Sequence, residues 1–349
     1  MDFTLDEVQR SVADLAAGVL GGATDHARAV AALASDAGYD EGTWKALAHA
    51  GLLSLALPAD LGGDGLGAVE VGLLLAETGR HVLPLPALAT QALGVLPVGA
   101  FGSADQQRAL LAEVGGGRVL TAALRDARGA AVRVENGRLS GARVGVPYAA
   151  QAYRILVPVG ASTAVLDPRA PGVTLVRTPT STGAPEYSLH LDGAPVESTL
   201  AASSADLERY AVAGAAAVAD GVLDAALRLT AEHVRTREQF GRPLATFQAV
   251  AQQIADVYIT ARTLHLVATS AAWRLAVGLD ADADLAVAAY WLAAELPKAL
   301  QTCQHLHGGL GVDVTYPLHR YYSHGLDLAR FVGGAAYRLD RLGARCSSN

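Results

Sequence analysis

Hydrophobic periodicity changes twice along this chain, and those changes limit the folds open to it. From Asp6 to about Arg118 apolar residues recur at helical spacing, as in DEVQRSVADLAAGVL, WKALAHAGLL and VEVGLLLAETGRHV. Near Val119 the texture becomes short β-type runs, VLTAAL, AVRVENGRLSGARVGV, YRILVPV, TAVLD, GVTLVRTP and YSLHLDGAPV, separated by Gly, Pro and Asn. From Ser203 the helical spacing returns and continues almost to Leu342. Helices, then strands, then helices is the segregated order of an α+β protein. A Rossmann fold would need alternating βαβ units and is disfavoured. The expected division is an N-terminal helical domain over 1–118, a β-barrel or sandwich over 119–202 and a helical bundle over 203–349.

A length of 349 residues with 51% hydrophobic and 17% charged residues supplies two or three cores. The formal net charge of -7 leaves no basic surface to neutralise a phosphate backbone, so no nucleic-acid partner is expected. Lys45 and Lys298 are the only lysines among many arginines in an alanine-rich chain, a bias that reads as GC-rich coding. Cys303 and Cys346 are too few and too far apart for a disulfide framework or a CxxC metal motif, which fits a reducing cytoplasm. Asp2, Asp6 and Glu7 stand where a signal peptide would be basic, and no apolar run has membrane-spanning length, so neither export nor membrane association is expected.

Two loops read clearly. Pro58, Gly62, Gly63, Gly65 and Gly67 break the helical pattern in LALPADLGGDGLGAVE. Asn136-Gly137 in ENGRLSG predicts a hairpin turn, because both residues tolerate positive φ.

The segment RTREQFGRPLATFQAVAQQIADVYI, residues 235–259, predicts a helix that ends in an arginine-rich turn, breaks at Gly241-Arg242-Pro243 and restarts. An arginine there can offer a planar fork to a pyrophosphate, and Phe240 and Gln248 can pack against and bond a flat heterocycle. The plainer reading is a helix C-terminus whose positive charges offset the macrodipole. Arg237, Phe240, Gly241, Phe247 and Gln248 resemble the RxxFGxxxxxFQ signature of the acyl-CoA dehydrogenase family. WKALAHAGLLSLALPADLGGDGLGAVEVGLLLAETGR, LHLDGAPV and HLHGGLGVDVTYPLHRYY resemble the same family in the same order, so the likeness spans essentially the whole chain.

The resemblance implies FAD. In the family the RxxFG and HGG-type segments of one subunit grip the ADP half of a cofactor whose flavin lies mainly on a neighbour. By position that implicates Arg237, Gln239, Phe240, Gln248, His305, Gly308 and Gly309. Gly308 and Gly309 suit the role, since backbone without Cβ lets a phosphate or ribose approach the amides. The spacing of His305 and His307 invites a metal, but nothing nearby in sequence completes a ligand set, and no metal is expected.

The resemblance also defines what is missing. Family members use a glutamate to take the α-proton of an acyl-CoA while the flavin accepts the β-hydride, chemistry that needs a carboxylate in a dry pocket. Counting without gaps from Tyr316-Pro317 puts Val332 at the usual glutamate position, and counting back from Arg237 puts Ala211 at the alternative one. Glu208, three residues before Ala211, is the remaining candidate for a displaced base. LRDARGA at 124–130 replaces the family's TEPGAGSD-like segment, and ARVGVPYAA replaces its Trp-containing strand.

The pattern resembles the base-less β-type subunit of actinobacterial α2β2 acyl-CoA dehydrogenases that act on steroid-CoA thioesters in cholesterol side-chain breakdown. The resemblance implies a partner carrying the glutamate and the acyl pocket, with electrons passing to an electron-transfer flavoprotein. Two other readings stay open: a self-sufficient homotetramer with Glu208 as base, and a non-catalytic scaffold on a decayed dehydrogenase fold.

Overall fold

A computed structural model describes residues 3–23 and 26–347. The helices are α1 Glu7–Gly21, α2 His26–Ala34, α3 Glu41–His49, α4 Ala68–His81, α5 Leu96–Phe101 and α6 Ala104–Leu111. Nine strands follow: β1 Leu120–Ala122, β2 Arg125–Asp126, β3 Arg133–Glu135, β4 Arg138–Pro147, β5 Arg154–Val159, β6 Ser162–Leu166, β7 Val173–Thr178, β8 Glu186–Pro195 and β9 Ser198–Leu200. After α7, Ser204–Thr236, come the short strands β10 Glu238–Gln239 and β11 Arg242–Pro243. The chain continues as α8 Gln248–Ala276, α9 Asp282–Tyr290, α10 Leu296–His307, α11 Leu318–Phe331 and α12 Ala335–Ser347. This is a segregated α+β arrangement: an N-terminal helical domain, a central sheet domain and a C-terminal helical domain.

The chain divides into two compact units, one of Thr4–Leu74 with Pro84–Gly214, the other of Leu75–Leu83 with the chain from Ala215 onward. In the first, Asp6 and Gln9 form a reciprocal capping box that starts α1, and Val12, Ala16 and Leu20 bury one stripe of that helix. Strands β1-β5-β6-β9 make one sheet and β2-β4-β8-β7 another, with β3 paired to β4. Leu139, Val146, Ile155, Val157, Leu189 and Leu191 are among the residues of their shared apolar core. The β3–β4 hairpin turns at Asn136 and Gly137, at φ 51° and 70°, as the Asn-Gly pair predicts.

The second unit is helical. Gly79 and Gly221 let α4 and α7 touch: a Cβ on either would overlap the carbonyl oxygen of Val218 or Ala76 respectively. Across that contact Arg80 pairs with Glu77 and, at 2.9 Å, with Asp224. The Arg320 guanidinium and the Tyr321 hydroxyl donate to the carbonyls of Val82 and Arg80, satisfying the end of α4. α8 packs on α9 and α10, α11 on α10 and α12 on α9. α7 has the length and apolarity of a membrane span, but 72% of its apolar window is buried within the protein.

Two π-helical stretches, Leu88–Val95 and Trp291–Glu295, have one cause. Each runs directly into a Leu-Pro pair, Leu96-Pro97 or Leu296-Pro297. A proline inside a helix lacks the N–H for its i−4 carbonyl and crowds it, and a widened turn relieves both problems. The wide turn is explicit in the bonds that Leu96 and Leu296 donate to the carbonyls of Gln91 and Trp291, five residues back.

Candidate cofactor site

The Arg237 segment folds as a small hairpin rather than a simple break. Gln239 pairs with Arg242, and Phe240 and Gly241 form the turn at φ 54° and 76°. Positive φ at both central residues is the type I′ geometry that matches strand twist, and it is costly for a bulky residue such as phenylalanine. The turn holds the Phe240 side chain outward, 91% exposed. The Leu244 N–H donates to Arg237 O at 2.9 Å and closes the loop. The Arg242 guanidinium sits 4.2 Å from the Phe247 ring centroid, and Phe240 meets Phe247 edge-on at 6.1 Å. Gln248 opens α8, whose first turn has no side-chain cap and presents a positive helix end beside these groups. Arg237, Gln239, Phe240 and Gln248 are all exposed.

The second turn is built by the end of α10. His305 is exposed and His307 is buried, so the two histidines point to different environments. Gly308 takes φ 61°, a conformation that favours glycine. A Cβ on Gly308 or Gly309 would meet nothing within 4 Å, so each offers open backbone instead of a packing contact.

The two turns are joined beneath the surface. His233, one helical turn before Arg237, stacks on His307 with ring centroids 4.2 Å apart and planes 20° from parallel. His307 Nδ1 bonds Cys303 O at 2.9 Å and its Nε2 lies 3.2 Å from the Tyr316 hydroxyl. Burial lowers the proton affinity of both imidazoles, and the neighbouring Arg237 charge lowers that of His233 further. His233, which stacks on His307, and Tyr316, which bonds it, are not among the site residues that the sequence suggests. The available hint is that His233 lies four residues before Arg237, in the last turn of the helix that leads to it.

The positions expected to hold a base are apolar and packed. Val332 ends α11, is buried, and its carbonyl accepts from the Arg338 guanidinium. Ala211 is buried on α7, and Glu208 on the same helix is half-buried. In the sheet domain Tyr148, at φ 52°, turns its ring into the core edge-on to Tyr39 at 6.0 Å. In the 124–130 segment Asp126 pairs with the buried Arg143 at 2.7 Å. These side chains of the LRDARGA and ARVGVPYAA segments serve internal packing.

Sequence comparison decides the family. Residues 6–118 match the N-terminal domain of acyl-CoA dehydrogenases, and residues 199–344 match their C-terminal domain. The chain belongs to the acyl-CoA dehydrogenase family. It is 49% identical to acyl-CoA dehydrogenase FadE28 of Mycobacterium tuberculosis, over 99% of each chain. Among solved structures, the ChsE4-ChsE5 complex from Mycobacterium tuberculosis matches with a TM-score of 0.94 and 33% identity, covering all of both chains. The Tcur3481-Tcur3483 steroid ACAD matches with a TM-score of 0.92 and 36% identity over 99% of this chain and 100% of that one.

Acyl-CoA dehydrogenases oxidise CH–CH donors, and the fold family binds FAD. The residues of this chain fit the nucleotide half of that cofactor. Arg237 and Arg242 supply planar cations, Phe240 and Phe247 supply flat apolar faces, and the backbone at Gly308 and Gly309 is open on its outer side.

Proposed function

We propose that this chain is the non-base-bearing subunit of a heteromeric, FAD-dependent acyl-CoA dehydrogenase that forms an α,β-unsaturated acyl-CoA. The carrying observation is an asymmetry: the Arg237 and Gly308–Gly309 turns stand ready for a nucleotide, whereas Val332 and Ala211 occupy the positions of a base. Valine and alanine cannot move a proton, so a homologous α-type partner supplies the glutamate that takes the α-proton. FAD, when bound, supplies the acceptor for the β-hydride, and electrons then leave to an electron-transfer flavoprotein.

The cofactor is shared between the two subunits. In this one Arg237 forks onto the pyrophosphate, Phe240 and Gln248 hold the adenosine side, Gly308 and Gly309 admit the phosphates, and Gln239 and His305 line the edge. By sequence the domains run over 1–118, 119–202 and 203–349, with Leu75–Leu83 of the first packing among the helices from Ala215 onward. The substrate is a steroid CoA thioester of cholesterol side-chain breakdown, handled in the cytoplasm. The Tcur3481-Tcur3483 steroid ACAD, as a relative, supports the steroid, and the ChsE4-ChsE5 complex supports the partner subunit.

The test is flavin content and oligomer size for the chain expressed alone and with an adjacent acyl-CoA dehydrogenase gene. FAD is expected only in the co-expressed complex. Arg237→Ala should weaken its binding by about 2 kcal/mol, the worth of one charge-assisted contact. A chain that alone holds FAD and oxidises an acyl-CoA would overturn the split site, and Glu208→Gln would then test the displaced base. A complex that forms without FAD would leave a scaffold.

A further inference from the structure

We propose that His233 and His307 are a positioning pair that locks the Arg237 hairpin and the Gly308–Gly309 turn into one nucleotide-binding surface. The inference rests on the cofactor assignment above and adds residues that do not themselves touch the cofactor.

The geometry singles out this pair. The two turns come from different helices, and each histidine sits at the base of one of them. The Arg237 N–H donates to His233 O at 2.8 Å, and Gly308 follows His307 directly. The stacked rings at 4.2 Å therefore join the last fixed point of α7 to the last fixed point of α10. A shift in the stack moves both turns relative to each other. Misplacing a positioning group by about 1 Å can cost a hundredfold in function.

The His307 ring is held at both nitrogens. Cys303 O can only accept, so Nδ1 carries the proton and donates to it, which leaves Nε2 to accept from the Tyr316 hydroxyl. One tautomer is specified and the ring cannot swivel, which makes it a firm platform for His233. Burial keeps both rings neutral near neutral pH, so no charge repulsion opposes the stack.

The test uses the co-expressed complex, with FAD affinity read by equilibrium dialysis. His233→Ala should weaken FAD about fivefold to tenfold, the worth of an aromatic pair. His233→Phe, which keeps a flat ring, should stay within about twofold of wild type. Adding His233→Ala to Arg237→Ala should cost little more than Arg237→Ala alone, because the pair acts through the turn it places. Unchanged affinity in His233→Ala, or losses that simply multiply in the double variant, overturns the pair while leaving the cofactor assignment standing. Unchanged affinity in Arg237→Ala overturns both. Should His233→Ala fail to assemble, Tyr316→Phe unties only the Nε2 anchor; about a threefold loss supports the proposal and none overturns it.

Discussion

His265 on α8 shows how this molecule spends its buried charge. Its Nδ1 lies 2.9 Å from the Asp220 carboxylate of α7, and that hydrogen bond raises its proton affinity against the opposing effect of burial. A histidine whose folded-state value is raised stabilises the fold fully below its ordinary value, and the contribution is lost as pH rises through the folded value. The melting difference between wild type and His265→Gln should therefore be largest near pH ~5.5 and shrink towards pH ~8. Thermal melts at low salt measure it, and an equal difference at both ends would mean that His265 acts by packing alone. Glu77, Arg80 and Asp224 form a similar structural network, and Arg143 is committed to Asp126. Paired charges thus brace partly buried contacts, yet Val332 and Ala211 stand where a base is expected.

At the scale of elements, two helical glycines with the same sequence appearance carry opposite expectations. Gly18 lies on the exposed face of α1 with nothing near its missing Cβ, so Gly18→Ala should stabilise by about 0.5–1 kcal/mol. Gly221 sits where α7 meets α4, and a Cβ would land on the Ala76 carbonyl. Gly221→Ala should cost about 2–3 kcal/mol. Denaturant midpoints of the two variants should move in opposite directions; a gain for both would mean that the α4–α7 contact is looser than the backbone positions imply. Sequence spacing distinguishes helix from strand but cannot tell these glycines apart, since the difference lies in a neighbour far along the chain.

The same limit explains what was and was not legible. The Asn136-Gly137 turn and the long helix ending near Arg237 were readable because their causes are local. The π turns before Pro97 and Pro297 were hidden, because helical spacing averages over one wide turn. The β10–β11 hairpin stands where Gly241-Arg242-Pro243 predicts a simple break, because Phe240 is an unusual residue for positive φ. The His233–His307 stack depends on two helices meeting, which no spacing within either one encodes.

At the scale of the whole molecule, the unit that carries the candidate cofactor turns also exposes most of the large apolar side chains. α8 presents Tyr258, Ile259 and Leu266, the chain after α10 presents Val312 and Val314, and the hairpin tip presents Phe240. Scattered exposed apolar residues are ordinary, and the proposed partner subunit gives this group on α8 something to meet. A partner subunit that completes the FAD site would bury part of this surface, and hydrophobic burial of this kind sustains a stable complex. Ile259→Glu combined with Leu266→Glu should therefore leave the unfolding free energy of the isolated chain within about 0.5 kcal/mol of wild type, as for exposed positions in general. The same variant should lose co-purification with the partner, because two unpaired carboxylates would be buried at the contact. Size-exclusion chromatography of the co-expressed pair gives the result. An intact complex would show that α8 faces solvent in the assembly and that the partner must reach the Arg237 turn from another side.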